Sequence, residues 1–63
     1  MKTQNNSFDG GANFAYQTYS SNYSFTVAYQ MAIIESIFSK KPSEFMRGFV
    51  QSFRAEESKS LAA

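Results

Sequence analysis

The sequence predicts an all-α protein, and three observations lead to that class. Apolar side chains recur at helical intervals from Tyr23 to Phe38. A second stretch with the same period follows Pro42 directly. The chain of 63 residues contains neither Cys nor His, so it has no disulfide scaffold and no structural zinc site of the usual kind. At this length we expect one small domain covering residues 1–63.

Residues 1–21 are expected to form an extended, aromatic-rich N-terminal arm. The first eleven residues are polar and show no periodicity, and Asp9-Gly10-Gly11 is a turn signal. The aromatic residues Phe14, Tyr16 and Tyr19 follow. They either fold back over the helices or contact a partner, and the sequence leaves both uses open.

A first helix is predicted at about 22–39, with Ser21 or Asn22 as its N-cap. The apolar residues that define its period are Tyr23, Val27, Met31, Ile34 and Phe38. The alternative is an α+β fold with an N-terminal β-hairpin of strands 14–18 and 23–29, because aromatic and β-branched residues alternate there. The uninterrupted segment MAIIESIFS favours the helix.

A second helix is predicted at about 42–56, which gives a two-helix hairpin. Pro42 suits a first helical position, and Glu44 suits the positive end of the helix dipole. One side of this helix is apolar and consists of Phe45, Met46, Phe49, Val50 and Phe53. Residues 57–63 are expected to form a flexible tail.

The first predicted helix is more apolar than a surface helix needs to be. Its large side chains cover an arc of about 200°, against about 100° for an ordinary amphipathic stripe. We expect Val27, Ile34 and Phe38 to pack on Phe45, Phe49 and Phe53. The remaining large side chains are the candidate partner-binding residues, namely Tyr16, Tyr19, Tyr23, Tyr29, Ile33 and Ile37.

This surface predicts a non-enzymatic protein–protein interaction. The chain would be an accessory or regulatory subunit, an adaptor or an inhibitor that inserts its helix into a groove of a larger partner. The alternative is a structural component of a particle that associates with copies of itself. Without His or Cys, and with no converging carboxylates in the pattern, we expect no catalysis, cofactor or metal.

A further alternative is a small DNA- or RNA-binding regulator. Arg47, Gln51 and Arg54 share one helical face and could contact phosphates or an acidic protein surface. The net charge of +1 argues against nucleic acid, because each neutralised phosphate needs its own cation. A solvated face with i,i+3 ion pairs, Arg47 with Glu44 and Arg54 with Glu57, is the simpler interpretation of the two arginines.

The N-terminal segment lacks the apolar core of a secretory signal, so we expect a cytoplasmic protein. The uncharged stretch between Asp9 and Glu35 is rich in Asn, Gln, Ser and Thr, which argues against a membrane span.

The last three residues, Leu61-Ala62-Ala63, resemble the ending of the bacterial tag that marks proteins for degradation by an AAA+ unfoldase. The resemblance implies that these three residues are a degradation signal, and it covers no other part of the chain.

Overall fold

The computed structural model describes residues 6–62, and the side chains of residues 6–61. It contains three helices: α1 (Ser7–Ser20), α2 (Phe25–Ser36) and α3 (Pro42–Ala62). The predicted all-α class is therefore confirmed. Residues 6–62 contain no strand, so the alternative β-hairpin of 14–18 and 23–29 is not supported.

The extended arm predicted for residues 1–21 is wrong where the structure describes it. Residues 7–20 form α1, whereas residues 1–5 lie outside the described part of the chain. Asn6 is the N-cap: its side-chain oxygen accepts a hydrogen bond from the Phe8 N–H at 3.0 Å. Asp9 then lies in the first turn, where a negative charge stabilises the helix dipole.

Helices α1 and α3 cross at unusually short range, and two glycines allow it. A β-carbon added to Gly11 would overlap the carbonyl oxygen of Phe45 and lie 2.8 Å from the Phe49 nitrogen. A β-carbon on Gly48 would overlap the carbonyl oxygen of Phe8. Gly11 therefore serves a close contact between helix backbones. The turn predicted from Asp9-Gly10-Gly11 does not form, because α1 continues through these residues.

The turn between α1 and α2 shortens the helix predicted at 22–39. Asn22 adopts the left-handed conformation, with φ of 70°. The N–H groups of Asn22 and Tyr23 donate to the carbonyls of Tyr19 and Thr18, at 3.0 and 3.1 Å. This is the hydrogen-bond pattern of a Schellman C-cap. Ser24 is the N-cap of α2, so neither Ser21 nor Asn22 has that role.

The third helix is longer than the predicted 42–56. The expected flexible tail, residues 57–63, is helical as far as Ala62, and Ala63 lies outside the described residues. Lys59 forms an ion pair with Glu56 at 3.2 Å, one helical turn away. The hydroxyls of Ser60 and Tyr19 are hydrogen-bonded, which ties this last part of α3 to α1.

The core is built on the predicted apolar side of α3. Phe45, Phe49 and Phe53 are buried at successive four-residue intervals, together with Ala15, Ala28 and Ala32. Further residues are partly buried against them: Phe14, Tyr19, Phe25, Met46 and Val50. The aromatic rings among these residues, together with that of Tyr29, form a continuous cluster with centroid separations between 5.4 and 6.3 Å.

Candidate protein-binding surface

Helix α2 meets the core through the Phe25 ring at its start and through its smallest side chains after that. Ala28 and Ala32 are fully buried, and Ser36 follows one turn later on the same side. The Ser36 hydroxyl donates to the Ile33 carbonyl at 2.7 Å, so burial leaves it no unpaired hydrogen. Small residues at this spacing let the α2 backbone approach the phenylalanines of α3 closely.

This contact reverses the predicted orientation of α2. Val27, Ile34 and Phe38 do not pack on Phe45, Phe49 and Phe53; they are 45%, 61% and 80% exposed. The prediction assumed that the largest side chains face the core. The aromatic rings of α3 and α1 already fill much of that space. At the start of α2 the Phe25 ring packs on Phe49 and Phe53, and after it the fully buried residues of the helix are the small Ala28 and Ala32.

The opposite side of α2, together with Tyr23 before the helix and Ile37 and Phe38 after it, is an exposed apolar surface, which we call the outer face. It comprises six side chains that are each at least 44% exposed: Tyr23, Val27, Ile33, Ile34, Ile37 and Phe38. Together they expose about 700 Å², taking roughly 200 Å² for each complete side chain. The largest apolar patch on a typical monomer is about 300–600 Å².

A narrower stripe runs along the middle of the outer face. Its five residues, separated by steps of four, three, four and three, are Tyr23, Val27, Gln30, Ile34 and Ile37; Val27, Gln30 and Ile34 lie in α2, and the other two flank its ends. This is the spacing of a helix–helix seam. Gln30 is the only polar side chain among the five. The first charged residues beyond it are Glu35 at one edge and Lys40 and Lys41 after the helix.

Three of the six predicted partner-binding residues lie together on the outer face: Tyr23, Ile33 and Ile37. Tyr29 lies at its rim, 38% exposed, with its ring 5.6 Å from that of Phe25 and 6.3 Å from that of Phe49. The structure thus brings four of the predicted residues onto one side of the molecule.

The other two predicted residues belong to α1. Tyr19 turns toward α3, where its ring meets Phe53 edge-on at 5.4 Å. Tyr16 is 61% exposed on α1. Aromatic residues of the N-terminal segment therefore do fold back on the chain, as Phe14 and Tyr19 show. They cover α3 and leave the outer face of α2 open.

Sequence reasoning missed Val27, Ile34 and Phe38 as members of the exposed surface. The signal that identifies them is on the other side of the helix: Ala28, Ala32 and Ser36 recur every four residues. A stripe of small residues on an otherwise large-residue helix indicates the side that approaches another backbone.

The candidate polar residues Arg47, Gln51 and Arg54 are all exposed on α3. The guanidinium carbon of Arg54 lies 4.7 Å from the centre of the Phe25 ring, in a cation–π arrangement. Arg47 approaches the Glu44 carboxylate at 4.0 Å. Both arginines therefore have partners within the chain.

The C-terminal residues Leu61 and Ala62 form the end of α3, and Leu61 is 88% exposed. Ala63, the third residue of the proposed degradation signal, lies outside the described part of the chain.

An open cleft of about 370 Å³ lies beside Phe38, between the ends of the three helices. It is lined by Asn6, Ser7, Gly10, Glu35, Phe38, Ser39, Lys40 and Phe45. Across it, the Lys41 N–H donates to the Ser7 hydroxyl at 3.1 Å. Residues 6–62 contain no cluster of three potential metal ligands, and none of their helices is long and apolar enough to cross a membrane.

No protein-family model matches the chain, and no curated protein or solved structure matches it significantly. The geometry described above is therefore the basis for assigning a function.

Proposed function

We propose that the protein acts by binding another protein chain through the outer face of α2, as a small accessory subunit, adaptor or inhibitor without catalytic activity. The exposure of Ile34, Ile37 and Phe38, each more than 60%, is the observation that supports this proposal. Ile34 lies in the last turn of α2, and Ile37 and Phe38 directly follow the helix.

Leaving such side chains in water is costly for a domain of this size. Covering a large apolar side chain contributes about 1.5–3 kcal/mol. A domain of this size has a free energy of unfolding of only a few kcal/mol. A partner that covers the outer face therefore adds a stabilisation comparable with that of the fold itself.

The rigid attachment of α2 also supports a binding role. Its inner side is held by Ala28 and Ala32 against the aromatic cluster, and its N-terminus is capped by Ser24. The outer face is thus presented on a formed helix, so binding does not have to order that segment first. This corresponds to helix-in-groove recognition or helix–helix packing.

Site-specific photo-crosslinking in the producing cells tests the proposal. A photoreactive amino acid replaces Phe38, whose ring is largely exposed and contributes little to the core. The matched control carries the same amino acid in place of Ala55, which is exposed on α3. We expect covalent protein adducts from position 38 and none from position 55. Equal labelling at both positions, or none at position 38, would contradict a binding function of this surface.

A further inference from the structure

We propose that the occupant of the outer face is a second copy of this chain, packed antiparallel about a two-fold axis that passes through Gln30. This inference rests on the proposed function and adds to it the identity of the partner. Three properties support it: the symmetry of the stripe, its lack of charge and the area of the outer face around it.

The stripe is symmetric about its central residue. Tyr23 and Ile37 lie seven residues on either side of Gln30, Tyr23 just before the N-cap of α2 and Ile37 at its C-cap. Val27 and Ile34 lie about 4.5 and 6 Å from Gln30 along the helix axis. A two-fold axis through Gln30 therefore places Val27 of each chain nearly opposite Ile34 of the other. It also brings the N-terminal end of each α2, which Tyr23 precedes, toward the C-terminal end of the other, where Ile37 lies.

The same axis explains the single polar residue of the stripe. It brings the Gln30 side chain against its own symmetry mate, and each amide then offers both a donor and an acceptor to the other. A lone Gln facing an apolar groove of another protein would lose its water without such a partner. One polar pair at the centre of an apolar seam also fixes the register of two helices.

The charge distribution is compatible with like chains meeting. No charged residue lies between Tyr23 and Ile34, and Glu35 projects from the edge of the stripe. Two copies consequently bring no like charges together at the centre of the contact. The area is also sufficient when the contact covers the whole outer face, Ile33 and Phe38 included, since its about 700 Å² per chain approaches the roughly 800 Å² that each partner contributes to a standard stable interface.

Sedimentation equilibrium of the full chain tests the association. We expect the average mass to rise with concentration from 7.1 kDa toward twice that value. Ile34→Glu places a charge in the seam and should raise the dissociation constant at least about tenfold. The matched control is Leu61→Glu, the same change at an exposed residue of α3, and it should leave the dissociation constant unchanged. Circular dichroism should show equal helix content in both variants.

A cysteine at the axis tests the register. The chain has no native Cys, so Gln30→Cys introduces a single thiol. Helix axes about 8–10 Å apart bring the two α-carbons at the two-fold to about 3.4–5.4 Å, and the upper part of this range suits a disulfide. We expect rapid oxidation to a covalent dimer, and much slower oxidation of Gln51→Cys on α3. Equal rates for the two variants would overturn the two-fold at Gln30.

A compensating pair distinguishes this packing from other contacts of the same face. Val27→Glu and Ile34→Lys should each give a monomer, whereas the chain that carries both changes should dimerise, since each carboxylate then faces an ammonium of the other copy. A chain that stays monomeric at every concentration would overturn self-association. If position 38 then crosslinks to a different protein, the binding function stands and only the identity of the partner is wrong.

Discussion

Gly11 of α1 lies directly against the carbonyl group of Phe45 in α3, at a distance that leaves no room for a β-carbon. Gly48 has the corresponding contact with the backbone of Phe8. The two helices that form most of the core are thus fixed by a backbone-to-backbone crossing. Helix α2 packs on the phenylalanines of α3 through Phe25 at its start and through the fully buried Ala28 and Ala32.

Alanine substitutions should therefore lower the stability of the fold at Gly11 and Gly48 and raise it at Gly10. Gly11→Ala and Gly48→Ala force the helices apart and should lower the free energy of unfolding by about 1–3 kcal/mol, despite the better helix propensity of Ala. Gly10→Ala is the matched control. Its β-carbon would meet only the Phe45 ring, at 3.5 Å, so stability should rise by about 0.5–1 kcal/mol. Urea unfolding at one fixed protein concentration measures all three, and a stabilised Gly11→Ala variant would refute the crossing.

The left-handed residue in the first turn gives a second prediction. Asn22→Val should cost about 1–2 kcal/mol, because a β-branched residue is strained at a φ of 70°. Asn22→Gly should be neutral or slightly stabilising, since glycine adopts this conformation freely. Thermal unfolding of the two variants measures the difference. If Val is tolerated as well as Gly, the Schellman cap does not form.

The inner face of α2 can be tested by enlarging one alanine. Ala32 is fully buried, so Ala32→Leu should overpack the contact with α3 and cost about 1–3 kcal/mol. Ala55→Leu makes the same change at an exposed position of α3 and should alter stability by less than about 0.5 kcal/mol. Equal effects of the two substitutions would mean that α2 does not pack through its alanines.

The nucleic-acid alternative also makes a measurable prediction. Arg54 is engaged with Phe25 and Arg47 approaches Glu44, so few free cations remain on that face. We expect no retention of DNA or RNA in filter binding at low salt with about 100 μM protein, a concentration at which non-specific binding is normally evident. Retention that falls with Arg47→Ala would instead favour the regulator hypothesis.

Much of this fold could be predicted from local patterns. The period of Phe45, Phe49 and Phe53 identifies the buried side of α3, and the position of Pro42 matches the start of that helix. Both features are determined by residues within one helix, and the periodicity of a sequence reports on such local features.

The errors arose where a contact between helices decides the structure. Gly10-Gly11 is a turn signal by composition, yet here α3 lies against it and α1 continues through. Likewise, α2 is apolar almost all round, so its period cannot tell which side faces inward. Ala28 and Ala32 settle that choice only when the aromatic volume contributed by α1 and α3 is known.

The sequence predicts part of the exposed surface. An excess of apolar side chains on the first predicted helix follows from their arc alone, and Tyr23, Ile33 and Ile37 lie on the exposed side. The reversal of α2 adds Val27 and Ile34 to that surface. The stripe around Gln30 is complete only when Val27 and Ile34 are known to be exposed.

Methyl NMR during dilution tests the central claim most directly, namely that the chain meets a second copy through the outer face of α2. The three isoleucines of the protein, Ile33, Ile34 and Ile37, all lie on this face, so isoleucine labelling reports on it alone. We expect their signals to shift with protein concentration while the Leu61 methyl signals stay constant. Isoleucine signals that do not change between micromolar and millimolar concentrations, or that change no more than those of Leu61, would contradict the account.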